Sequence, residues 1–511
     1  MPPCALFSVN DTRHVEEFAK CLNSLGWDVI CTLKPYKKLT ALGLDVLLVN
    51  DFVGTSNCNF PFPPTLHPKM EQALTGDDPN CRIELVYCIT YDLVEGNDVG
   101  GHTLLALAVK GGRIPVCSLE DMIVVIDQIK KDSMVSEEHR SSLIHRANTK
   151  IVSHYCQIIH ESEDTNSEIL LSKKNRTLLN GENPYQVPCD LFDLETGDPL
   201  ALPQFCLLTE NDPCFTNIAD LDCVVETMCK LSMGFEKNRG SIPYITVAAK
   251  HGNACGIGID WDSPGQSVSK ALWGNPLAVW GGELVVNFSI TSQIAAQLYS
   301  SEKREVDLGK KNWMLDVIAA PSVEQEGEKI IRQRKNTKLF VNPSLEHPSP
   351  QISNVNYRHV RGGLLKQPGF SYVLDLKNVY WKWGEFAEPD MDSAIIAWAA
   401  SFTSNHGGNE VAIAAQGALL GVGGGPATVD AAELAVERSA RYHKDSLSAS
   451  IFSADAFFPF EDAPKVLHNA GCKGGIVPAG GVREKEIIEF FDKSNLIVGF
   501  LDKEIRGFCR H

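Results

Sequence analysis

The sequence has no run of apolar residues that approaches the roughly 20 needed to span a membrane. Its N-terminus also lacks the basic region followed by an apolar core that marks a secretory signal peptide. These two absences argue against a helical membrane protein and against an exported one. We therefore expect a soluble protein of the cytosol without a membrane partner.

The chain also lacks the cysteine patterns of metal-bound and disulfide-bonded proteins. Its 16 cysteines are scattered, and no two of them have the C-x-x-C spacing. This scatter argues against a zinc cluster and against a disulfide framework. We expect reduced, mostly buried thiols and no bound metal.

Positive charge is scarce relative to negative charge. The chain has 47 Lys and Arg against 64 Asp and Glu, a formal net charge of −17. This balance disfavours a broad surface for nucleic acid or an anionic membrane. We expect no nucleic-acid partner, and any anionic group of a ligand must be met by local cations.

What the chain does have is length and an ordinary globular composition. Its 511 residues, 44% hydrophobic and 22% charged, are too many for one hydrophobic core and point to about three domains. We divide the chain into residues 1–130, a helical connector and linker over 131–175, and two further parts, 176–380 and 381–511. The polar stretch from Glu161 to Ser167 predicts the linker itself.

Strand-like and helical patterns alternate in residues 1–130. Leu6 to Val9 is strand-like, and the segment from His14 to Leu25 has apolar residues at helical spacing and ends at Gly26. This alternation predicts a small doubly wound α/β domain. The alternation resumes after the linker, so we expect the α/β class throughout.

Lys250-His251-Gly252-Asn253-Ala254-Cys255-Gly256 is the most informative segment. It follows the apolar, β-branched run from Pro243 to Ala249, which predicts a strand. Lys250 and His251 should therefore emerge together where a strand meets a loop, and they supply a fixed positive charge and a group that exchanges protons near neutral pH. The alternative is a solvated lysine beside a hydrogen-bonded loop histidine.

A glycine-rich stretch, Gly421-Val-Gly-Gly-Gly425, follows a strand-like run. Thr428 could cap a helix from Asp430 to Tyr442, which would let backbone N–H groups face an anion. The spacing fits neither a Walker loop nor a dinucleotide fingerprint. A tight strand-to-helix turn that binds nothing is the open alternative.

Several other motifs accompany the Lys-His segment in a recognisable order. They are Gly181-Glu-Asn-Pro-Tyr-Gln186, Asn217-Ile-Ala-Asp220, Trp280-Gly-Gly282, Asp316-Val-Ile-Ala-Ala-Pro321, Gly362-Gly-Leu-Leu365, Gly408-Asn409, Ser453-Ala-Asp-Ala-Phe-Phe-Pro-Phe460 and Arg506-Gly-Phe-Cys-Arg-His511. Together they resemble the bifunctional purine-biosynthesis enzymes that join an AICAR transformylase to an IMP cyclohydrolase. The resemblance to the transformylase covers residues 176–511.

The first 130 residues resemble the cyclohydrolase domain of the same family more faintly. The matching segments are Cys4-Ala-Leu-Phe-Ser-Val-Asn-Asp11, Thr65-Leu-His-Pro68 and Asp98-Val-Gly-Gly101 with Lys110. The resemblance implies a methylglyoxal-synthase-like doubly wound domain followed by a cytidine-deaminase-like transformylase module of two α/β subdomains.

The resemblance implies transfer of a formyl group from 10-formyltetrahydrofolate to the amine of an aminoimidazole carboxamide ribotide, without a metal. The resembling positions for catalysis are Lys250, His251 and Asn409, with His251 as the base and Lys250 as the stabiliser of the oxyanion or the proton donor to the folate nitrogen. The positions that match ribotide-binding residues are Asn183, Asn217, Gly281, Gly282, Asp316 and Arg506, and those that match the folate site are Asp455, Phe457 and Phe458. A homodimer is also implied, because the family assembles this site across a twofold interface.

The chain departs from the family pattern at several anion-binding positions. Leu179-Asn180 stands where the family has Arg-Tyr, and Gly425-Pro-Ala-Thr-Val429 stands where it has Gly-Gln-x-Ser-Arg. Loss of two arginines at a phosphate weakens binding, by roughly 1.5–3 kcal/mol per charged hydrogen bond. Arg176, Lys173 and Lys174 lie just upstream and are candidate replacements.

The cyclohydrolase-like domain departs further. Thr32-Leu33-Lys34-Pro35 replaces a glycine-rich phosphate turn, and Phe62-Pro63-Pro64 replaces an Arg-x-Lys segment. Tyr91, Asp98 and Lys110 are retained as a degenerate site. We therefore expect weak or absent ring closure by this domain.

The leading hypothesis is a folate-dependent formyltransferase attached to a degenerate cyclohydrolase-like domain. Two rivals stay open on the sequence. One is a formyltransferase with a different acceptor that lacks the phosphate, and the other is a non-catalytic relative that binds a purine or folate and regulates a partner.

Overall fold

The computed structural model describes residues 2–55, 63–76, 82–161, 167–348, 355–382 and 384–510. Phe62, Ser162 to Asn166 in the predicted linker, and His511 lie outside these residues. The chain divides into two compact units, Met1–Leu171 and Ser172–His511. The finer boundaries predicted at residues 130, 175 and 380 stay a prediction.

The first unit is a five-stranded parallel sheet with helices on both faces. The strands are β1 (Cys4–Val9), β2 (Asp28–Cys31), β3 (Leu47–Leu48), β4 (Leu85–Ile89) and β5 (Ile114–Val116), in the order β3-β2-β1-β4-β5. The helices are α1 (Val15–Ser24), α2 (Leu33–Ala41), α3 (Val49–Val53), α4 (Pro68–Thr75), α5 (Val99–Lys110), α6 (Leu119–Asp132) and α7 (Glu137–His160).

Alternation along the strands of this unit explains why both faces are covered. Ala5 and Phe7 of β1 pack with α1 and α6 on one face, whereas Leu6 packs with α4 and α5 on the other. Successive strand side chains point to opposite faces, and a parallel sheet buries both. The predicted doubly wound α/β domain is confirmed in this unit.

The second unit contains a mixed sheet of twelve strands and two separate hairpins. The strands are β6 (Lys173–Leu178), β7 (Cys189–Asp193), β8 (Cys206–Leu207), β9 (Tyr244–Lys250), β10 (Asn253–Asp260), β11 (Gly282–Val286), β12 (Leu315–Ala320), β13 (Lys338–Val341), β14 (Val355–Val360), β15 (Gly363–Pro368), β16 (Tyr380–Lys382), β17 (Asn409–Ala415), β18 (Ala418–Gly425), β19 (Ile451–Ala454), β20 (Gly474–Pro478) and β21 (Ile497–Leu501).

The helices of this unit cover the faces of the large sheet. They are α8 (Phe215–Arg239), α9 (Pro264–Gly274), α10 (Ser292–Tyr299), α11 (Glu302–Leu308), α12 (Gln325–Arg332), α13 (Glu388–Thr403), α14 (Thr428–His443), α15 (Asp462–Asn469) and α16 (Glu484–Ser494). None of the helices in the described part of the chain has the length and apolar character needed to cross a membrane.

The large sheet contains the same strand arrangement twice. Its order is β16-β21-β20-β19-β17-β18-β10-β9-β11-β12-β13-β8, so the run β10-β9-β11-β12-β13 is matched in reverse by β18-β17-β19-β20-β21. The two halves join where β10 pairs antiparallel with β18 at Gly258 and Ala418. Two α/β halves thus share one continuous sheet.

The glycine-rich stretch belongs to strand β18 and is not an anion-binding loop. A Cβ on Gly423 would lie less than 3.0 Å from backbone atoms of Ala431 and Ala435 in α14, and one on Gly424 would meet the Glu410 carboxylate equally closely. These glycines therefore allow close packing against a helix and a neighbouring side chain. Thr428 is the first residue of α14 and makes no side-chain cap, so the predicted cap is wrong.

Replacement of Gly423 by Ala should destabilise the second unit by about 1–3 kcal/mol, because the new methyl group has only backbone to displace. Gly425→Ala is the matched control, since its Cβ would meet the Asp430 Cβ at an ordinary 3.4 Å. Thermal and denaturant unfolding followed by circular dichroism measure the difference. Equal midpoints for the two variants would contradict the packing argument.

Candidate functional site

The strand directions bring most of the transformylase candidates to one edge of the large sheet. β9 ends at this edge, and its antiparallel neighbour β11 and the parallel β12 begin there. Across the β10–β18 junction, β17 begins at the same edge and β19 ends at it. Residues before, at or after these strand ends therefore face a common region, as the edge of an α/β sheet usually provides for ligands.

Lys250 and His251 form the beginning of the turn between β9 and β10. Lys250 pairs with Asn253 across the hairpin, and the two residues between them, His251 and Gly252, have φ of 53° and 68°. Positive φ at both central positions is what a type I′ turn requires, and His is among the residues that tolerate it. The Lys250 Nζ donates a hydrogen bond to the Gly281 carbonyl, whereas His251 is exposed.

Two β-bulges flank this turn. Cys255 is an extra residue in β10, since Ala254 pairs with Ala249 and Gly256 with the adjacent Ala248. Asp316 is an extra residue in β12, since the pairing moves from Leu315 to Val317 across one step of β11. Bulges re-aim side chains and are frequent beside active sites. The bulge at Asp316 brings its carboxylate close to the Lys250 ammonium, because a Cβ on Gly281 would lie 3.1 Å from the Lys250 Nζ and 4.0 Å from both Asp316 oxygens.

Two further carboxyl groups complete this Lys250 group. Burial raises the pKa of Asp220 on α8, and the charges of His251, Lys250 and Arg510 offset part of that increase. Glu283, at the second position of β11, is only 3% exposed. Burial, followed by repulsion from Asp220, raises the pKa of Glu283 to about 9 despite the opposing effect of Lys250. Glu283 is therefore a neutral acid at pH 7.

Asn217 and Asn183, both matched to the ribotide site, use their amides locally. The Asn217 Oδ1 accepts a hydrogen bond from the Cys214 backbone N–H at 3.2 Å and thereby caps α8. Asn183 donates to the Gln186 Oε1 from its backbone at 2.7 Å and from its side chain at 3.1 Å. Asn217 lies one helical turn before Asp220 on α8 and so belongs near the Lys250 group. Nothing described brings Asn183 to that group.

A second group gathers around the start of β17. The Asn409 Nδ2 donates to the Pro426 carbonyl at 3.1 Å. Asp455 follows β19 and is 2% exposed, and its burial raises its pKa to about 7. Its backbone N–H donates to the Glu410 carbonyl at 3.1 Å. We call Asn409, Glu410, Asp455 and their neighbours the Asn409 group.

The two phenylalanines and Arg506 separate into different environments. Phe458 is buried in the core with Phe452 and Phe491, so it serves as packing. Phe457 is half-buried, and the Arg506 guanidinium lies 5.2 Å from the centre of its ring. Burial lowers the pKa of Arg506, and its side chain donates to the Ala479 carbonyl at 3.1 Å.

The two groups are separate but joined through loops. From β9 to β17 the sheet has three strand spacings of ~4.8 Å, which places Lys250 and Asn409 about 14 Å apart. The Asn253 Oδ1 accepts from the Asn405 backbone N–H at 2.7 Å, which ties the β9–β10 turn to the loop before β17. Arg510 reinforces the same link by donating to the carbonyls of Gly252 and Thr403.

A cavity of about 940 Å³ lies beside the Lys250 group and not within it. It is lined by α8, the hairpin β14–β15 and the C-terminal segment, including Asp222, Glu226, Lys230, Arg358 and Arg510. Neither Lys250 nor Asn409 lines it. Within one protomer, the four side chains Lys250, His251, Asn409 and Asp455 therefore do not converge on this cavity.

The cations proposed to replace the missing arginines are bound within their own hairpin. Lys174 pairs with Asp190 at 2.6 Å, and Arg176 donates to the Phe205 carbonyl at 3.3 Å. Lys173 pairs in register with Asp193 across β6 and β7. Their presence at a phosphate site stays a prediction. Among the described residues, His, Cys, Asp and Glu side chains form no group of three arranged to hold a metal ion.

The retained residues of the first unit split between the two ends of α5. Asp98 caps the helix by accepting from the Gly101 N–H at 2.7 Å, and it also accepts from the Tyr91 N–H at 3.3 Å. Lys110 is the last residue of α5 and contacts Glu71 at 3.4 Å. Twelve residues at 1.5 Å each separate Asp98 from Lys110 by about 18 Å. Tyr91 and Asp98 lie together, but Lys110 does not join them.

The structure adds residues that the sequence analysis did not single out as functional. Glu283 and Glu410 both stand at the start of apolar strands, a placement unusual for a charged residue and thus a usable signal. In the first unit, the rings of His102 and His154 stack at 3.9 Å beside Asp98. Their sequence separation of 52 residues gives no local signal for this contact.

The fold and these groups define an α/β protein with acid–base side chains gathered at one sheet edge. A family model described as the AICARFT/IMPCHase bienzyme matches residues 114–438, more than half of the chain. The chain belongs to this family of bifunctional AICAR formyltransferases and IMP cyclohydrolases, which places it among the transferases of purine biosynthesis.

Individual relatives agree with this assignment over nearly the full length. The chain is 26% identical to "Bifunctional purine biosynthesis protein PurH" of Streptococcus pneumoniae serotype 19F (strain G54), covering 97% of this chain and 98% of the relative. It is 24% identical to the protein of the same name from Clostridioides difficile (strain 630), with the same coverage. A solved structure titled "Crystal structure of ForH" matches 32% of this chain and 98% of its own at 26% identity with a TM-score of 0.29, and no argument rests on it.

The buried Glu283 carboxyl should make the stability of the second unit depend on pH. Its pKa rises from about 4.5 to about 9 on folding, so between these values the folded state holds a proton that the unfolded state has lost. The free energy of unfolding therefore falls as pH rises through this interval, by at most about 1.4 kcal/mol per pH unit. Glu283→Gln keeps the shape of the neutral acid and should flatten this decline.

Chemical denaturation of both proteins at intervals from about pH 5 to about pH 9 measures the effect. Glu326→Gln is the control, because Glu326 is an exposed residue of α12 paired with Lys329. Curves for the wild type and Glu283→Gln that stay parallel across the interval would show that Glu283 ionises normally.

Proposed function

We propose that the second unit transfers a formyl group from 10-formyltetrahydrofolate to the 5-amino group of AICAR. The observation that carries the proposal is the Lys250–His251 turn, which lies at a bulged sheet edge in a chain of the transformylase family. The acceptor amine is a weak nucleophile, because its lone pair is delocalised into a ring that bears a carboxamide. The reaction therefore needs removal of a proton from the amine and stabilisation of the oxyanion at the formyl carbon.

Lys250 is suited to the electrostatic part of this task. Its ammonium is held by the Gly281 carbonyl and lies beside the Asp316 carboxylate, so its position is fixed before substrate arrives. A preorganised cation costs no reorganisation as negative charge develops on the formyl oxygen. Glu283 remains neutral nearby, and Lys250 is therefore left with one less competing anion.

His251 and Asn409 have the complementary roles. The exposed His251 imidazole is the proposed base for the acceptor amine, either directly or through the neighbouring carboxamide of the substrate. Asn409 can donate and accept through one amide, and we assign it to orient the carboxamide or the formyl oxygen. The proposed ribotide contacts are Asn183, Asn217, Gly281, Gly282, Asp316 and Arg506.

The folate side of the site is assigned to Asp455 and Phe457. An acid whose pKa is about 7 is present in both protonation states at neutral pH, so Asp455 can donate to or accept from the pterin nitrogens. Phe457 presents an apolar wall, and its stacking with Arg506 combines that wall with a positive charge. Phe458 supports the wall from the core.

The proposal includes a twofold homodimer. The spacing of about 14 Å between the Lys250 and Asn409 groups supports a site that combines one group from each of two protomers, as the family resemblance implies. The exposed hairpin of β14 and β15 offers additional surface for such an interface.

Release of tetrahydrofolate from 10-formyltetrahydrofolate tests the main proposal. The assay compares AICAR with its dephosphorylated nucleoside as the acceptor. Turnover with AICAR supports the proposal, and the nucleoside arm reveals whether the chain still requires the phosphate despite its missing arginines. Absence of turnover with either acceptor would sink it.

Lys250→Met should lower kcat/KM for tetrahydrofolate release by about 10²–10³, because the oxyanion loses its charged donor while the side chain keeps its length. Lys250→Arg should fall between the two, since its planar head does not fit the same point position. Lys329→Met is the control, because Lys329 is exposed and pairs with Glu326. An unchanged rate for Lys250→Met would remove this residue from the mechanism.

We also propose that the first unit closes the purine ring weakly or not at all. Thr32 to Pro35 forms the start of α2, where Pro35 has no N–H for an anion, and Lys110 lies at the far end of α5 from Asp98. The full chain supplied with the formylated ribotide should therefore form the bicyclic purine no faster than background. Ring closure at a rate comparable to formyl transfer would overturn this part of the proposal.

A further inference from the structure

The loop before β17 contains a histidine held by a buried carboxylate. The Glu410 Oε2 lies 2.7 Å from the His406 Nδ1, and the Oε1 accepts from the His406 backbone N–H. The Glu410 side chain is 1% exposed, whereas that of His406 is 21% exposed. A fixed carboxylate and a partly exposed imidazole are the two parts from which proteins build an acid–base dyad.

The tautomer of His406 follows from this contact. An ionised carboxylate only accepts hydrogen bonds, so Nδ1 must carry the hydrogen that it shares with Glu410. The Nε2 atom has no hydrogen-bond partner among the described residues. It is therefore the atom available to exchange a proton with a ligand.

Glu410 has a site shaped for it. It stands opposite Gly424 in the β17–β18 ladder, and a Cβ on Gly424 would lie less than 3.0 Å from both carboxylate oxygens. The glycine allows the carboxylate to lie across β18 towards His406. This contact accounts for one glycine of the glycine-rich stretch that binds no phosphate.

His406 lies between the Lys250 and Asn409 groups. It follows Asn405, which bonds to Asn253 of the β9–β10 turn, and it precedes Asn409 by three residues. On the other side, the backbone carbonyl of Glu410 accepts from Asp455, the residue assigned to the folate. An exchangeable proton thus lies on the folate side of the proposed reaction.

We propose that His406, oriented by Glu410, is the catalytic acid that protonates the departing folate nitrogen. This inference rests on the proposed formyl transfer and adds to it a residue outside the Lys250–His251 segment. His406 is the catalytic residue, and Glu410 acts through it as a positioning residue.

The step balances without any further reactant. The acceptor nitrogen bonds to the formyl carbon and loses its proton to His251. The bond between that carbon and the folate N10 breaks, its electron pair stays on N10, and N10 takes the proton from the His406 Nε2. His406 is left neutral and His251 protonated, and both return to their starting states by exchange with water.

The charged and titratable groups around the dyad determine how it responds to pH. They come from β17, the segment after β19, helix α14 and the C-terminal segment, and they are Glu410, Asp455, Arg438, Arg510 and Cys509. Glu410 is the one in direct hydrogen-bond contact with His406. Its removal should therefore dominate any change in the protonation of the imidazole.

The test uses full-length His406→Ala in the tetrahydrofolate-release assay, with and without added imidazole. Loss of a general acid should lower kcat by about 100-fold, and imidazole should restore part of it because the site of His406 reaches solvent. His468→Ala, which removes an exposed histidine of α15, should match the wild type. His251→Ala under the same conditions shows whether any rescue is specific to the position of His406.

Glu410→Gln separates positioning from folding. The amide keeps the shape of the side chain but no longer stabilises an imidazolium, so the alkaline limb of the kcat profile should move to lower pH. An unfolding midpoint close to that of the wild type establishes that the variant is folded. A structural role alone would change the midpoint and leave the limb in place.

The outcomes distinguish the two proposals. A wild-type enzyme that releases tetrahydrofolate while His406→Ala keeps full kcat, or loses activity that imidazole does not restore, overturns the role of His406 alone. A wild type that shows no release with either acceptor overturns the formyl transfer, and the assignment of His406 falls with it. Loss, rescue and the shifted limb together establish the dyad.

Discussion

The antiparallel pairing of β10 with β18 is the constraint on which the proposed site depends. This short junction, reinforced by the hydrogen bond from the Ile259 N–H to the Gly417 carbonyl at 2.8 Å, joins two copies of one α/β arrangement into a single sheet. Because the copies meet in antiparallel fashion, the end of β9 and the beginning of β17 lie at the same edge. Without the junction, the Lys250 and Asn409 groups would belong to unrelated surfaces.

The two groups use burial to place acids and bases in different protonation states. Glu283 is kept neutral by its surroundings, while Lys250 a short distance away is fixed by a carbonyl and a carboxylate. In the Asn409 group, Asp455 has a pKa of about 7, and Glu410 instead gains two donors from His406. Side chains of one chemical type thus obtain separate roles from their environments, which is how enzymes run acid and base steps at one pH.

Local signals predicted much of this arrangement. The apolar run before Lys250 predicted β9, and the alternation in residues 1–130 predicted the doubly wound unit, because the period of apolar residues reports secondary structure directly. The glycine-rich stretch was ambiguous, since the same glycines serve an anion or a packed helix. Its resolution required α14 and Glu410, which no spacing rule relates to it. The separation of Lys110 from Asp98 also became evident only from the length of α5.

The sequence by itself determined the α/β class, the family and the identity of the Lys250–His251 segment, because these depend on short-range pattern and on residue type. The tertiary structure alone decided which ionisable groups meet. Glu283 reaches Lys250 through strand pairing and the bulge at Asp316, and Gly424 admits Glu410 towards His406 across a ladder. Such contacts form between residues distant in sequence, and the burial that sets their protonation exists only once the sheet and its helices have packed.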